Sequence, residues 1–271
     1  MRSRQQSVGK EAPAYSDNED ASRTDDGAGI WAVADGAGGT GIYAGEWAQY
    51  LVRNVSKEPF RDLDQLARWL DNHWERFFNQ YQPRTQGDYL IGYKFMHEGS
   101  GATLVTLHKQ DEQMYWSVYG DAVALCFQPL TGELKASNPD PRQFESAPYL
   151  LNWLTPPQSK GFRANAWTHK PGQQYALLSD ALGQYVLLAY AVLQGNRDSV
   201  RDLAQQPTAL GSLAQGHLAH WCEKGSQFYE LVWEPLRTAL TSADAFKQYT
   251  EQLQAGQLLG ADDYTAIFIE D

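Results

Sequence analysis

Apolar positions along this chain fall into two kinds of run. Short continuous blocks, several ending in an acid, alternate with longer stretches that repeat every three to four positions. Ile30 to Ala34 (IWAVA) predicts a buried strand. After a glycine-rich stretch, GEWAQYLVRNVSK places Trp47, Leu51 and Val55 four apart, the spacing of a helix. Leu63, Leu66, Leu70, Trp74, Phe77, Phe78 and Tyr81 form one apolar stripe, which predicts a single long helix over 63–81, capped by Asp62 or Asp64 and ended by Pro83. Three strands follow with short turns between them, over 102–109, 114–120 and 122–129, the last leading into the turn PLTGEL. Residues 138–172 hold six of the twelve prolines and show no clean periodicity. They predict a long excursion containing short strands. Gln174 to Asp180 predicts another buried strand, Leu182 to Leu193 and much of 198–254 predict helix, and Tyr264 to Ile269 predicts a closing strand. Consecutive strands joined by short turns favour an antiparallel α+β layered fold over an alternating parallel one.

Composition narrows the class. The 271 residues, 42% of them apolar, are enough for one substantial core. A single domain over 1–271 is expected, with the 138–172 excursion and a helical insertion around 198–254. The formal charge of −11 argues against a nucleic-acid partner, which usually meets a basic face, and suits a cation-binding centre. Cys126 and Cys222 are the two cysteines. With no CxxC pair, a thiolate zinc cluster is excluded and a disulfide framework is not expected. Cys126, within an apolar run, reads as a small buried residue. The N-terminal stretch lacks the apolar core of a signal peptide, and no window approaches about 18 apolar residues. A cytoplasmic protein with no membrane partner is the expectation.

The chemistry gathers at strand ends. Asp35 follows WAVA, Asp180 follows YALLS, Asp262 and Asp263 precede YTAIFI, and Glu19 and Asp20 lie in SDNEDA. Neighbouring strands can bring such ends to one rim, where several carboxylates repel one another unless a cation joins them. An oxygen-only donor set suits Mg²⁺ or Mn²⁺. A glycine directly after Asp35 lets its own backbone carbonyl approach the same ligand. An isolated aspartate after a strand is usually a turn former, so the weight rests on the recurrence.

The ordered segments NEDA (18–21), VADGAGG (33–39) with GE (45–46), GATLV (101–105), YGDA (119–122), LLSDAL (177–182) and DDYT (262–265) resemble the motifs of the metal-dependent protein phosphatases of type 2C, from about residue 7 to 270. The resemblance implies a four-layer α-β-β-α sandwich of two antiparallel sheets flanked by helices, with two Mn²⁺ or Mg²⁺ ions at one end. By position Asp35 would bridge both ions and Gly36 would offer its carbonyl. Asp180 and Asp262 would hold one ion, Glu19 would reach the other, and Asp20 would support that shell. Asp121 matches an aspartate associated with a weak third metal. The implied reaction is hydrolysis of phosphoserine and phosphothreonine in proteins by an activated water, with Asp35, Asp180 and Asp262 acting through the metals.

Five positions depart from the family pattern. Tyr15 stands where an arginine grips the substrate phosphate, Ala37 follows the DG pair, and SDG is SDA with Ala181. Gln184 replaces an aspartate of the third-metal site, and Asp263 replaces an asparagine, which adds a further candidate ligand. Arg23, Lys10 or an arginine near the terminus is a candidate replacement for the missing guanidinium. The two-ion set is intact. A divergent bacterial-type phosphatase is therefore expected, slow on generic phosphopeptides or restricted to a dedicated partner such as a serine/threonine kinase. The alternative is a catalytically weak or inactive relative that binds phosphoprotein or kinase as a regulatory module.

Other patterns carry less. His217, His220 and Cys222 in HLAHWC allow a soft-metal site, although packing or surface histidines are the commoner case. GTGIYAGE lacks the GK[ST] of a phosphate loop, and GSGAT lacks a serine elbow. Trp221, Phe228, Leu231, Val232 and Leu236 read as a core-facing stripe, with a partner-docking face as the alternative.

Overall fold

The computed structural model describes residues 1–10, 18–225 and 227–271; Tyr15 lies outside them. In chain order the described elements are β1 (Arg2–Val8), β2 (Asp20–Asp25), β3 (Ile30–Asp35), α1 (Ala44–Arg53), α2 (Leu63–Asp71), α3 (Trp74–Tyr81), α4 (Tyr89–His97), β4 (Leu104–Gln110), β5 (Gln113–Tyr119), β6 (Val123–Gln128) and β7 (Glu133–Ala136). They continue with β8 (Phe162–Thr168), β9 (Gln174–Leu178), α5 (Asp180–Leu193), α6 (Arg197–Ala204), α7 (Ala209–Trp221), α8 (Glu234–Ala239), α9 (Ala243–Ala255) and β10 (Tyr264–Glu270). Two five-stranded antiparallel sheets result, ordered β1-β10-β9-β6-β7 and β2-β3-β4-β5-β8.

Alternation along the strands builds three layers of core. Trp31, Val33, Val105, Leu107, Val118, Leu177, Ile267 and Ile269 point between the sheets. Ile30, Ala32, Ala34 and Leu104 face the opposite way, onto Trp47, Leu51, Leu66 and Phe77 of the helices. On the far side Val123, Leu125, Ala176 and Phe268 pack against Leu182, Val186, Trp233 and Phe246. Each Val, Leu, Ile or Phe side chain so withdrawn contributes roughly 1.5–3 kcal/mol. The architecture is the expected α+β sandwich of two antiparallel sheets with helices on both outer faces.

The stripe over 63–81 is two helices rather than one. Asp62 caps α2 by accepting from the Gln65 amide, and the chain breaks at Asn72 and His73. The His73 amide turns back to the Leu70 carbonyl, and the His73 ring nitrogen Nδ1 lies 2.7 Å from the Trp69 carbonyl. The side chain thereby closes α2 and the stripe restarts with Trp74. The 138–172 segment crosses from β7 of one sheet to β8 of the other. On the way Leu151 forms an isolated bridge with Ala102, and Trp153 packs against Trp47, Phe78 and Phe95.

Candidate metal centre

The site begins with one register fact. Asp20 lies directly opposite Asp35 in the β2–β3 pair. Side chains opposite one another in an antiparallel pair share a face. Asp35 has the parity of Trp31 and Val33, so both carboxylates enter the gap between the sheets at its open end. Asp180 arrives there as the first residue of α5, one residue beyond β9, where the Ser179 amide donates to the Thr265 carbonyl of β10 and the Thr265 amide donates to Ser179 Oγ. Asp121 comes from the turn between β5 and β6, and Asp262 from the approach to β10. A cavity of about 480 Å³ opens on this mouth, lined by Lys10, Glu19, Asp35, Gly36, Ala37, Gly38, Gly39, Thr103, Asp121, Pro148, Leu150, Asp180 and Asp262.

The glycine turn after Asp35 is held to its neighbours at backbone level. The Gly36 amide donates to the Glu19 carbonyl, the Ala37 amide to Gly101, and the Thr103 amide to the Asp35 carbonyl. A side chain at Gly36 would meet the Ala44 and Glu19 backbones at 2.7 Å. A side chain at Gly38 would meet the carboxylate of Glu19, which instead accepts from the Gly38 amide at 3.2 Å. The turn is therefore bare because Glu19 and the backbone behind it occupy the space.

Electrostatics follow from that crowding. Burial first, and then the Asp263 and Asp262 charges, raise the Asp20 carboxyl to about 7. Burial and Asp262 raise Asp121 to about 6, against the nearby Arg163. Asp35 and Asp180 are pushed well above the usual carboxylate range, by burial first and then by the surrounding aspartates. Both oxygens of Asp20 and Oδ1 of Asp121 are buried with no hydrogen-bond partner, an expensive state for a polar atom. Among the described residues, no three His, Cys, Asp or Glu side chains stand close enough together to form a finished cage for an ion. The donors nonetheless fit a hard divalent cation: they are all oxygen, mutually repelling and in part orphaned.

Asp263 has other work. Its Oδ1 accepts from the Lys10 amide at 2.7 Å and its Oδ2 from the Glu19 amide at 2.8 Å. With both oxygens engaged by backbone, it is a strut that ties two chain segments to β10. Sequence reasoning could not see this, nor that Thr103, Pro148 and Leu150 wall the cavity.

No protein-family profile matches the chain, and no curated protein matches it in sequence. Solved structures do match. PppA, described as a key regulatory component of T6SS in Pseudomonas aeruginosa, superposes with a TM-score of 0.54 at 18% identity, covering 99% of this chain and 96% of its own. The catalytic domain of the serine/threonine protein phosphatase PstP in complex with two manganese ions gives 0.51 at 18% identity, over 98% and 96%. The Mycobacterium tuberculosis serine/threonine phosphatase PstP/Ppp gives 0.51 at 17%, over 100% and 99%. The chain has the fold of the type 2C phosphatases.

Against the type 2C pattern, Ala37 lies in the glycine turn and lines the cavity, while Ala181 is the second residue of α5, its amide donating to Asp180 Oδ1. Gln184 lies one turn into α5. Arg23 does not reach the cavity. Three positions after Asp20 its parity is reversed, and its guanidinium meets the Arg53 carbonyl and Asp25. Tyr15 lies outside the described residues. Arg163 was not anticipated: it sits behind Asp121 and donates to the Gly120 carbonyl at 3.1 Å. The HLAHWC histidines are not a site, since the buried His217 ring bonds the Leu258 carbonyl and His220 is exposed. Cys126 is buried and its thiol is raised by that burial to about 12. Trp221, Phe228, Val232 and Leu236 are core residues, with Leu231 packed at their edge. No described helix is long and apolar enough to cross a membrane.

Proposed function

We propose that the chain is a divergent bacterial-type, metal-dependent phosphatase acting on phosphoserine and phosphothreonine in proteins, in the cytoplasm. The observation that supports this most is the facing pair Asp20 and Asp35, with both Asp20 oxygens orphaned, at a mouth shared with Asp121, Asp180 and Asp262. Asp35, the Gly36 carbonyl, Glu19, Asp180 and Asp262 would hold two Mn²⁺ or Mg²⁺ ions, with Asp20 behind them and Asp121 toward a weaker third. When bound, such a pair supplies Lewis acidity that activates a water nucleophile and offsets phosphoryl charge.

The chain's own residues do the rest. The bare turn over 36–39 leaves room for a phosphoryl group beside Asp35. Pro148 and Leu150 give the cavity an apolar wall that limits water. Asp263 fixes the backbone of Glu19, and Thr103 steadies Asp35 through its amide. Assay of p-nitrophenyl phosphate and a phosphothreonine peptide with Mn²⁺ tests the reading. Turnover by the wild type that Asp35→Asn lowers by more than about 100-fold is expected; equal rates for both would overturn it.

A second reading has a specific observation in its favour. The carboxylates approach without forming a finished cage, and PppA is described as a regulatory component. A regulatory module that binds a phosphoprotein or a serine/threonine kinase would show Mn²⁺ or phosphoprotein binding with no turnover on any phosphomonoester.

A further inference from the structure

Lys10 is the single cation among the described residues that line the cavity. Its backbone is fixed, because its amide donates to Asp263 Oδ1 while the same carboxylate holds the Glu19 amide. The side chain leaves this anchor toward the mouth, where Nζ lies 3.5 Å from Asp262 Oδ1. Both partners are partly exposed, 28% for Lys10 and 41% for Asp262. An ion pair of that kind is weak and readily exchanged. Burial draws the ammonium toward neutrality, but Asp262, Asp263 and Glu19 outweigh it and keep the group charged.

We propose that Lys10 is the phosphate-contacting cation of this cavity, held against Asp262 until a divalent ion takes that carboxylate. This rests on the phosphatase reading above and assigns its substrate grip. The two halves are linked by charge. Asp262 is a proposed ligand, so Lys10 and a metal ion compete for the same oxygen. Once that oxygen is engaged, the ammonium's flexible stem lets it turn to the next anion in the cavity, a phosphoryl oxygen. A lysine binds such an oxygen as a point charge, without the two-pronged geometry of a guanidinium. Arg23, on the far face of its strand, cannot share the task.

Calorimetric titration of Mn²⁺, and then of inorganic phosphate into the Mn²⁺-loaded protein, tests the assignment without requiring turnover. Lys10→Met should bind Mn²⁺ about threefold more tightly, since a competitor is gone, and bind phosphate about tenfold more weakly. Lys10→Arg should keep phosphate affinity within about threefold. Thermal melting of each variant checks folding, which a partly exposed side chain should not disturb. If Lys10→Met shows wild-type affinity for either ion, the Lys10 assignment fails while the phosphatase reading stands. If the wild type binds no Mn²⁺, both fail. Phosphate binding without hydrolysis would leave Lys10 in place and overturn the catalytic reading alone.

Discussion

At the scale of single residues, the two glycines that flank Ala37 differ in what stands against them, and they should respond differently to the same substitution. At Gly36 a methyl group would press on the backbones of Ala44 and Glu19, neither of which can yield cheaply. Gly36→Ala should destabilise the protein by roughly 1–3 kcal/mol, measured by denaturant unfolding. At Gly38 the obstacle is the far end of the Glu19 side chain, which can swing away. Gly38→Ala should leave the unfolding midpoint nearly unchanged and weaken Mn²⁺ binding about tenfold. A large stability loss at Gly38, with metal affinity intact, would contradict that account of the turn. Asp35, Gly36, Glu19 and Asp180 were legible as candidates because the strand-end acid pattern and the ordered motifs mark them, and all four line the cavity. The strut role of Asp263 was not legible, because nothing in DDYT says which of two adjacent carboxylates will find backbone amides.

At the scale of elements, legibility followed apolar content. The blocks at 30–34, 102–109, 114–120, 122–129, 174–180 and 264–269 correspond to strands, because strands covered on both faces are buried at nearly every position and read as continuous apolar runs. β1 (RSRQQSV) and β2 (DASRTD) were missed, since both are sheet edges whose polar side chains face water or the mouth. Missing β2 hid the Asp20–Asp35 register, and with it the parity that turns Arg23 away. α4 escaped notice because Tyr89, Leu90, Tyr93 and Met96 are exposed while Phe95 alone is fully buried, so no inward stripe stands out. Elsewhere the helical layer carries a buried titrating group. His217 of α7 donates from Nε2 to the Leu258 carbonyl at 2.8 Å and leaves Nδ1 without a partner. Burial lowers its ring from 6.5 to about 4. A depressed histidine is neutral in the folded chain while the unfolded chain takes up a proton, so its stability contribution is full above pH 6.5 and lost as pH falls toward 4. The loss amounts to roughly 3 kcal/mol. The wild type should therefore lose more stability between pH 7 and pH 4.5 than His217→Gln does, by urea unfolding at each pH. Parallel pH profiles would rule out the histidine as the source.

At the scale of the whole molecule, the sandwich concentrates charge that the rest of the fold keeps apart. Four strand ends and one helix start deliver carboxylates to a single mouth, in a chain whose net charge is already −11. Binding of a cation to the folded chain alone should then stabilise it. Mn²⁺ at about 100 times its Kd adds about 2.7 kcal/mol, or roughly 5–10 °C in Tm for a chain of this size, and EDTA should reverse the shift. Equal melting curves with Mn²⁺ and with EDTA would contradict a site formed by folding. The most direct test is a crystal of the protein grown with Mn²⁺ and measured for anomalous scattering. Two strong peaks should lie in the mouth between the sheets, in contact with Asp35 and flanked by Glu19, Asp180 and Asp262. Ordered carboxylates with no anomalous peak among them, or manganese bound only at other surfaces, would contradict the central claim.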